Sequence, residues 1–178
     1  NVVLQPSEQQ KEIVASLSER AEKVRNKQVN SNEDNMLVIT NDGRKLALDQ
    51  RLINPMLPDS DTGKVAVCTE NVYKIWERTA EKKSTQMVFV DLSTPHNDGQ
   101  FNVYDDLKKK LLDKGIPETE IAYIHDAKTE AAKKELFGKV RSGEIRVLIG
   151  STQKMGAGTN AQRKLIALHH MDCRATRS

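Results

Sequence analysis

From Thr85 onward, short apolar runs alternate with longer amphipathic stretches. The apolar runs are QMVFV, IAYIH, IRVLIG and LIALHHMD. The amphipathic stretches FNVYDDLKKKLLDKG and TEAAKKELFGKVRSG have apolar side chains at helical spacing and end at Gly115 and Gly143. We expect their inward faces to consist of Phe101, Tyr104, Leu107 and Leu111, and of Ala132, Leu136, Phe137 and Val140. This order of elements predicts an α/β fold, a parallel sheet with helices on both faces.

The N-terminal part of the chain has a helical pattern instead. In PSEQQKEIVASLSERAEKVRN, Ser7 and Gln10 stand at the positions of a capping box, and one face carries Ile13, Val14, Leu17, Ala21 and Val24. NMLVIT fits a strand, and the NDG after it is a turn signal, but RKLALDQRLI favours a helix. INPMLPDSDTGK has the composition of a linker. We therefore predict a helical N-terminal segment, residues 1–62, that packs on a lobe formed by residues 63–178.

One further helix is predicted after the linker. KVAVCTENVYKIWERTAEKK places Val67, Val72, Ile75, Trp76 and Thr79 near helical spacing. A single tryptophan in such a stripe is expected to pack in the core rather than to stack on a base.

Length and composition restrict the class of protein. The chain has 178 residues, 37% hydrophobic and 30% charged, which suits one domain with a single core. It carries neither an apolar run of membrane-spanning length nor a signal-peptide pattern, so we expect a cytoplasmic protein without a membrane partner. Cys68 and Cys173 lack metal-ligand or disulfide spacing, and we expect ordinary thiols and no metal site. Because the first residue is Asn1, we expect a piece of a longer polypeptide.

Positive charge is concentrated in the last part of the sequence. Residues 130–178 hold 10 Lys and Arg against 4 Asp and Glu, whereas residues 1–129 hold 18 against 21. A local basic excess favours a polyanionic partner, although a solvated basic face explains it equally well.

Two loops rich in small polar residues follow predicted strands, DLSTP and GSTQKMGAGTN. Ligands of open parallel sheets gather where loops leave the carboxyl ends of the strands. The second loop adds glycines, whose backbone can approach a phosphate closely. A plain turn is the alternative interpretation. The chain contains no G-x-x-x-x-G-K-[ST] string, so it does not hold ATP phosphates by a Walker loop of its own.

A dinucleotide site is another interpretation of this loop. GAGTNA matches the pattern G-x-G-x-x-G/A, and Asp172 follows the next apolar run, where an acid that binds ribose would stand. That fingerprint requires a helix of about three turns before the next strand. Only four residues separate GAGTN from LIALHH, so a helix of that length does not fit there.

The order of these segments resembles the second RecA-like lobe of superfamily-two helicases of the Swi/Snf-like branch. The fifth motif of that family reads approximately Ser-Thr-x-x-x-Gly-x-Gly-x-Asn, and it is matched by Ser151, Thr152, Gly156, Gly158 and Asn160. DLSTP stands at the fourth motif, and LALDQRLINP with TGKV is similar to the segment before this lobe. More narrowly, the chain resembles the large helicase-related proteins of phages and conjugative elements, some of which carry an adenine-specific DNA methyltransferase domain elsewhere.

The resemblance implies a function divided between two lobes. ATP and Mg²⁺ would be held by a first RecA-like lobe, absent from this sequence, which is also the expected partner within the polypeptide. This lobe would contact the backbone of DNA and close over the nucleotide. The implied nucleic-acid-binding residues are Ser93, Thr94, Ser151, Thr152, Gln153 and Lys154, and the implied nucleotide-binding residues are Gly156, Gly158 and Asn160. Contact with phosphates rather than bases suits a motor that moves along any sequence.

The sequence departs from the family at its end. The sixth motif, a helix with two arginines that stabilise the transferring phosphoryl group, should follow LIALHHMD, but the chain reads CRATRS and ends. Arg174 and Arg177 do not have the required spacing. We therefore expect no catalytic residue and no ATPase activity in this chain by itself. The alternative is a DNA-binding or scaffolding module derived from a helicase lobe that is not a motor.

Other polar residues have simpler interpretations. His169 and His170 fall in a strand and should face opposite sides of the sheet as structural residues. His125 and Asp126 leave a strand at the functional edge, but a pair without a third partner is a weak catalytic signal. The lysines 108–110 lie on the polar side of their helix and are expected to be solvated.

Overall fold

The α/β class with a parallel sheet is confirmed by a computed structural model, which describes residues 2–96, 98–156 and 162–172. Its described helices are α1 (Glu8–Arg25), α2 (Met36–Leu48), α3 (Lys64–Arg78), α4 (Val103–Asp113), α5 (Glu130–Ser142) and α6 (Thr152–Met155). The strands are β1 (Thr85–Phe89), β2 (Ile121–Tyr123), β3 (Val147–Gly150) and β4 (Leu165–His170). The chain forms two compact units, residues 1–64 and 65–178.

In the first unit, α1 and α2 begin at strong caps. Ser7 Oγ accepts from the Gln10 amide and the Gln10 side chain accepts from the Ser7 amide, which is the predicted capping box. Asn35 caps α2 by accepting from the amides of Leu37 and Val38. The NDG sequence predicted as a turn lies inside α2, so that signal was wrong and the helical interpretation of the segment is correct. Val14 was expected to be packed, but it is 52% exposed.

The second unit is built on a four-stranded, all-parallel sheet in the order β2-β3-β1-β4. Adjacent residues of β1 show that helices cover both faces, because successive strand side chains point to opposite sides. The Gln86 side chain donates to the carbonyl of Val72 in α3. Met87, next along the strand, packs in a core cluster with Phe137 and Val140 of α5. The arrangement is consistent with a RecA-like fold.

The stop signals of this unit and most of the residues predicted for its helix faces agree with the structure. Tyr104, Leu107 and Leu111 of α4 and Val140 of α5 are fully buried, and Phe137 of α5 is 7% exposed. Ala132 and Leu136 of α5 are half-buried, and so is Phe101, which precedes α4 rather than lying on it. Gly143 ends α5 with φ of 82°, in the left-handed region that favours glycine.

The single tryptophan has a structural role. The indole nitrogen of Trp76 donates to the Glu120 carboxylate at 2.6 Å, and the buried guanidinium of Arg146 lies 5.2 Å from the ring centroid. Arg146 also donates to the carbonyls of Trp76 and Ser84. These contacts join α3 to the residue before β3 and agree with packing rather than base stacking, although Trp76 is half-buried and not part of the core.

Cys68 is a buried free thiol, and burial raises its pKa to about 12. It is therefore uncharged and inert at physiological pH, as expected of an ordinary thiol. Cys173 lies outside the described residues. No helix within the described ranges is both long and apolar enough to cross a membrane.

Candidate nucleic-acid interface

Two segments distant in sequence meet at the carboxyl edge of the sheet. The first loop, residues 91–95, follows β1, and the second loop, residues 151–156, follows β3. Since β1 and β3 are parallel neighbours, their carboxyl ends lie side by side. The amide of Thr152 donates to Asp91 Oδ1 at 2.7 Å, which joins the loops directly. All six residues predicted to bind nucleic acid therefore lie on two adjacent, hydrogen-bonded loops.

The two serines of this set hold the backbone of the loops. Ser93 is only 7% exposed, and its Oγ accepts from the amide of Val103 at 2.8 Å, at the start of α4. Ser151 is 8% exposed, and its Oγ accepts from the amide of Lys154 at 3.3 Å as the N-cap of α6. Their hydroxyl oxygens thus have backbone partners that fix each loop against a helix.

The remaining four residues form the accessible part of the interface. Gln153 and Lys154 are exposed, whereas Thr94 and Thr152 are half-buried. A lysine ammonium, a primary amide and threonine hydroxyls can all donate hydrogen bonds to phosphate oxygens without reading sequence. This surface suits a nucleic-acid backbone better than base edges.

Only one of the three residues predicted to bind nucleotide is described. Gly156 is exposed, and its amide donates to the carbonyl of Thr152 at 2.8 Å. A Cβ at this position would lie 2.7 Å from that same oxygen. The local turn alone therefore favours glycine here. Gly158 and Asn160 lie outside the described residues.

The second loop is anchored to the core through Met155, which is 1% exposed and belongs to the cluster that includes Ile124 and Phe137. Gly150, the last residue of β3, makes room for this contact. A Cβ on Gly150 would collide with Ile124 and would lie 2.7 Å from the sulfur of Met155. The glycine that opens the loop is thus required by packing.

Sequence reasoning missed two carboxylates that organise this edge. Asp172 follows β4, and its carboxylate accepts from the amides of Asp91 and Leu92 in the first loop. Asp91 follows β1 and accepts from the second loop, as described above. The signal available in the sequence was their shared position directly after apolar strands. Asp172 was considered there only as a ribose acid, a role that its two backbone partners do not support.

Tyr104 and His125 contact each other near the two loops. The Tyr104 hydroxyl donates to the carbonyl of Val90 at 2.6 Å, and its ring meets the His125 ring edge-on with centroids 5.2 Å apart. Burial, followed by the negative charges of Asp91 and Asp172, raises the pKa of Tyr104, so the phenol stays protonated. Burial, followed by the positive charge of Lys154, lowers the pKa of His125, and His96 adds to this while Asp126 opposes it. His125 is therefore neutral at physiological pH.

The histidines of β4 face opposite sides of the sheet, as predicted. His169 is half-buried and forms a 2.9 Å hydrogen bond with Gln86 Oε1, while His170 stacks on Phe89 with centroids 4.7 Å apart. Burial, followed by the charge of His170, lowers the pKa of His169. Both histidines thus contact side chains of β1, and His170 is exposed.

Comparisons with models of protein families, with curated proteins and with solved structures found no match to this chain. A parallel α/β sheet is shared by proteins of many functions. Function must therefore be argued from the loops at the carboxyl edge.

Proposed function

We propose that this chain is the second lobe of an ATP-dependent DNA helicase or translocase and that its carboxyl-edge loops contact the DNA backbone. The observation that supports this most strongly is the hydrogen bond between Thr152 and Asp91. It joins the segments that resemble the fourth and fifth helicase motifs, which are separated by about sixty residues of sequence.

The chemistry of the exposed groups supports a phosphate partner. Lys154 lies on the same short helix as Gln153, and both project from the loop that Met155 anchors in the core. Because the loop backbone is already held in place, less backbone entropy is lost when its side chains meet a ligand. The loops would thus contact the DNA backbone independently of base sequence. In this proposal the protein acts in the cytoplasm.

ATP and Mg²⁺ would be held mainly by the other lobe. Gly156 is exposed at the end of the second loop, which fits the approach of a nucleotide held by the other lobe. In this proposal Gly158 and Asn160 contact the same nucleotide. Both oxygens of Asp172 and Oδ1 of Asp91 accept from backbone amides of the adjacent loops, which favours a structural role for these carboxylates over cation binding. In this proposal the Mg²⁺ ligands therefore come from the first lobe, and phosphoryl transfer needs that lobe as well.

The test is DNA binding by this chain, measured by fluorescence anisotropy with labelled oligonucleotides of two unrelated sequences. Lys154→Ala should weaken binding about three- to tenfold, the equivalent of roughly 1 kcal/mol for one exposed charged contact, and equally for both sequences. Lys82→Ala is the matched control. Lys82 is exposed and precedes β1, so it lies towards the amino ends of the strands, and its removal should change affinity by less than about twofold.

Two results would contradict the proposal. One is the absence of DNA binding by the unaltered chain, and the other is an equal loss in both lysine variants, which would indicate a diffuse charge effect. The alternative function, a module that is not a motor, is tested on the intact polypeptide. If it binds DNA through Lys154 but DNA does not stimulate ATP hydrolysis, the motor assignment fails and the module is favoured.

A further inference from the structure

Asp172 ties the end of β4 to the first loop. One carboxylate oxygen accepts from the amide of Asp91 at 2.9 Å, and the other accepts from the amide of Leu92 at 2.8 Å. The Asp91 amide also lies 3.1 Å from that second oxygen. Both oxygens are therefore used, and two consecutive amides of the first loop are fixed by one side chain.

Asp91 continues this connection to the second loop. Its amide is held by Asp172, while its own Oδ1 accepts from the amide of Thr152 at 2.7 Å. Asp172, Asp91 and Thr152 are thus linked in series across three neighbouring strand ends. The adjacent backbone supports the series, since the amide of Met171 donates to the carbonyl of Phe89 and the amide of Val90 donates to that of Gly150.

The two carboxylates would oppose a polyanion if they faced it. Both oxygens of Asp172 and one oxygen of Asp91 are instead directed at three backbone amides, whose partial positive charges offset the carboxylate charges. Their geometry therefore suits positioning of the loops rather than contact with a ligand.

We propose that Asp172 and Asp91 are positioning residues that act in series, so that Asp172 sets the first loop and Asp91 sets the second loop at the spacing needed for a phosphate backbone. The inference rests on the proposed function for its ligand. Its structural part, control of the second loop by Asp172 through Asp91, can be measured without any ligand.

The first experiment follows the exchange of the Thr152 amide with solvent in this chain. Asp172→Ala should raise that exchange rate at least about tenfold, although Asp172 does not bond to Thr152, because the bond to Asp91 loses its support. Asp126→Ala removes an exposed carboxylate that follows β2 and should leave the rate unchanged. Protected amides in β1 and β3 would show that the variant is folded. Unaltered exchange at Thr152 in a folded Asp172→Ala variant would overturn the series.

The second experiment uses asparagine as the conservative variant. Asp91 uses one oxygen within the described residues, and asparagine supplies one. Asp91→Asn should therefore bind DNA within about twofold of the unaltered chain, whereas Asp91→Ala should lose about five- to tenfold. Asp172 uses two oxygens, so Asp172→Asn should be rescued less than Asp91→Asn. Equal affinities of Asp91→Asn and Asp91→Ala would show that charge, not loop position, matters, and would overturn the proposal.

A double-mutant cycle separates positioning from general stability. If Asp91 acts by placing Lys154, the losses of binding free energy from Asp91→Ala and Lys154→Ala should be less than additive in the double variant. The losses of binding free energy from Asp91→Ala and Lys82→Ala should be additive. Additive losses in both pairs would overturn the positioning role. Absence of DNA binding by the unaltered chain would contradict the proposed function and the ligand named here, while the Thr152 exchange rate would still decide whether the two loops are coupled.

Discussion

At the scale of single residues, the candidate interface depends on close contacts that a substitution would disrupt. Met155 fixes the second loop in the core only because Gly150 has no side chain. Ser93, Ser151, Asp91 and Asp172 each accept from backbone amides of the loops or of the helix that follows. Residues that resemble ligand contacts in sequence thus also build the surface that carries the exposed donors.

Gly150 and Gly138 provide a matched pair of glycine substitutions. Gly150→Ala should lower the free energy of unfolding by roughly 1–3 kcal/mol, because the added methyl overlaps Ile124 and Met155. Gly138→Ala should raise it by about 0.5–1 kcal/mol, because Gly138 lies inside α5 and its Cβ would meet nothing closer than the Arg141 side chain at 3.8 Å. Urea denaturation monitored by circular dichroism measures both, and equal effects would contradict the packing role of Gly150.

Two histidines should make stability depend on pH. The pKa values of His125 and His169 are lowered in the folded protein, in both cases chiefly by burial. Below about pH 6.5 the unfolded chain therefore binds protons that the folded chain does not. The free energy of unfolding should fall as the pH is lowered from 7 towards 5 and should be constant above that window.

The measurement is urea denaturation at several pH values between 5 and 8. His125→Gln and His169→Gln should each reduce the slope of stability against pH within this window, whatever they do to stability at pH 8. The unaltered chain, measured over the same pH range, is the control. A slope that persists in a variant lacking both His125 and His169 would assign it to other groups.

At the scale of elements, α1 depends on its first turn. Ser7 Oγ accepts from the Gln10 amide and also donates to Oε1 of the buried Gln50 at 2.9 Å, so one hydroxyl serves two purposes. Ser7→Ala should lower the stability of α1 by about 1 kcal/mol. Ser18→Ala, inside the same helix and exposed, should be neutral or stabilise by a few tenths of a kcal/mol.

Amide exchange of α1 is the appropriate measurement for this pair, because the chain forms two compact units and a global unfolding curve need not report on the first unit. Exchange should accelerate throughout the first two turns in Ser7→Ala. Equal exchange in the two serine variants would show that the cap contributes nothing.

The regular elements of the second unit could be predicted because each had a periodic pattern of apolar residues and a residue that signals its end. The strand runs ended at polar loops, and Gly143 adopts the left-handed conformation that its position after α5 implied. α2 was harder, because a local NDG turn signal competed with a helix that Asn35 caps with two hydrogen bonds and that contacts α1. Packing against other elements decides whether such a segment forms a turn or a helix. The sequence of the segment by itself does not specify that packing.

The candidate interface was only half predictable. The small polar residues of both loops could be identified from their positions after strands. The roles of Asp91 and Asp172 could not, because these roles depend on the strand order β2-β3-β1-β4, which places β4 and β3 on either side of β1. Spacing along the chain does not reveal the strand order. An aspartate that holds a neighbouring loop therefore cannot be distinguished, from sequence, from any other loop aspartate.

At the scale of the whole molecule, much of the positive charge is already neutralised within the fold. Lys108, Lys110 and Lys114 of the basic α4 region pair with Glu118, Asp106 and Glu70. Lys154 forms no ion pair within the described part of the chain. The net charge of +3 is therefore a poor guide to where a polyanion would bind. The charge of one loop matters more for this binding than the net charge of the chain.

The dependence of DNA binding on salt should reflect this distribution. Each phosphate contacted by a cation contributes about 0.7–0.9 to the slope of log affinity against log salt concentration, because bound counterions are released. Since few lysines project from the carboxyl-edge loops, we expect a shallow slope, reporting only a few contacts. Lys154→Ala should reduce it by about one contact, and Lys109→Ala, a change of an exposed lysine in α4, should not alter it. Affinities measured between 50 and 200 mM salt decide the matter. A slope that reports about ten contacts would instead require a broad basic surface, and it would contradict an interface confined to two loops.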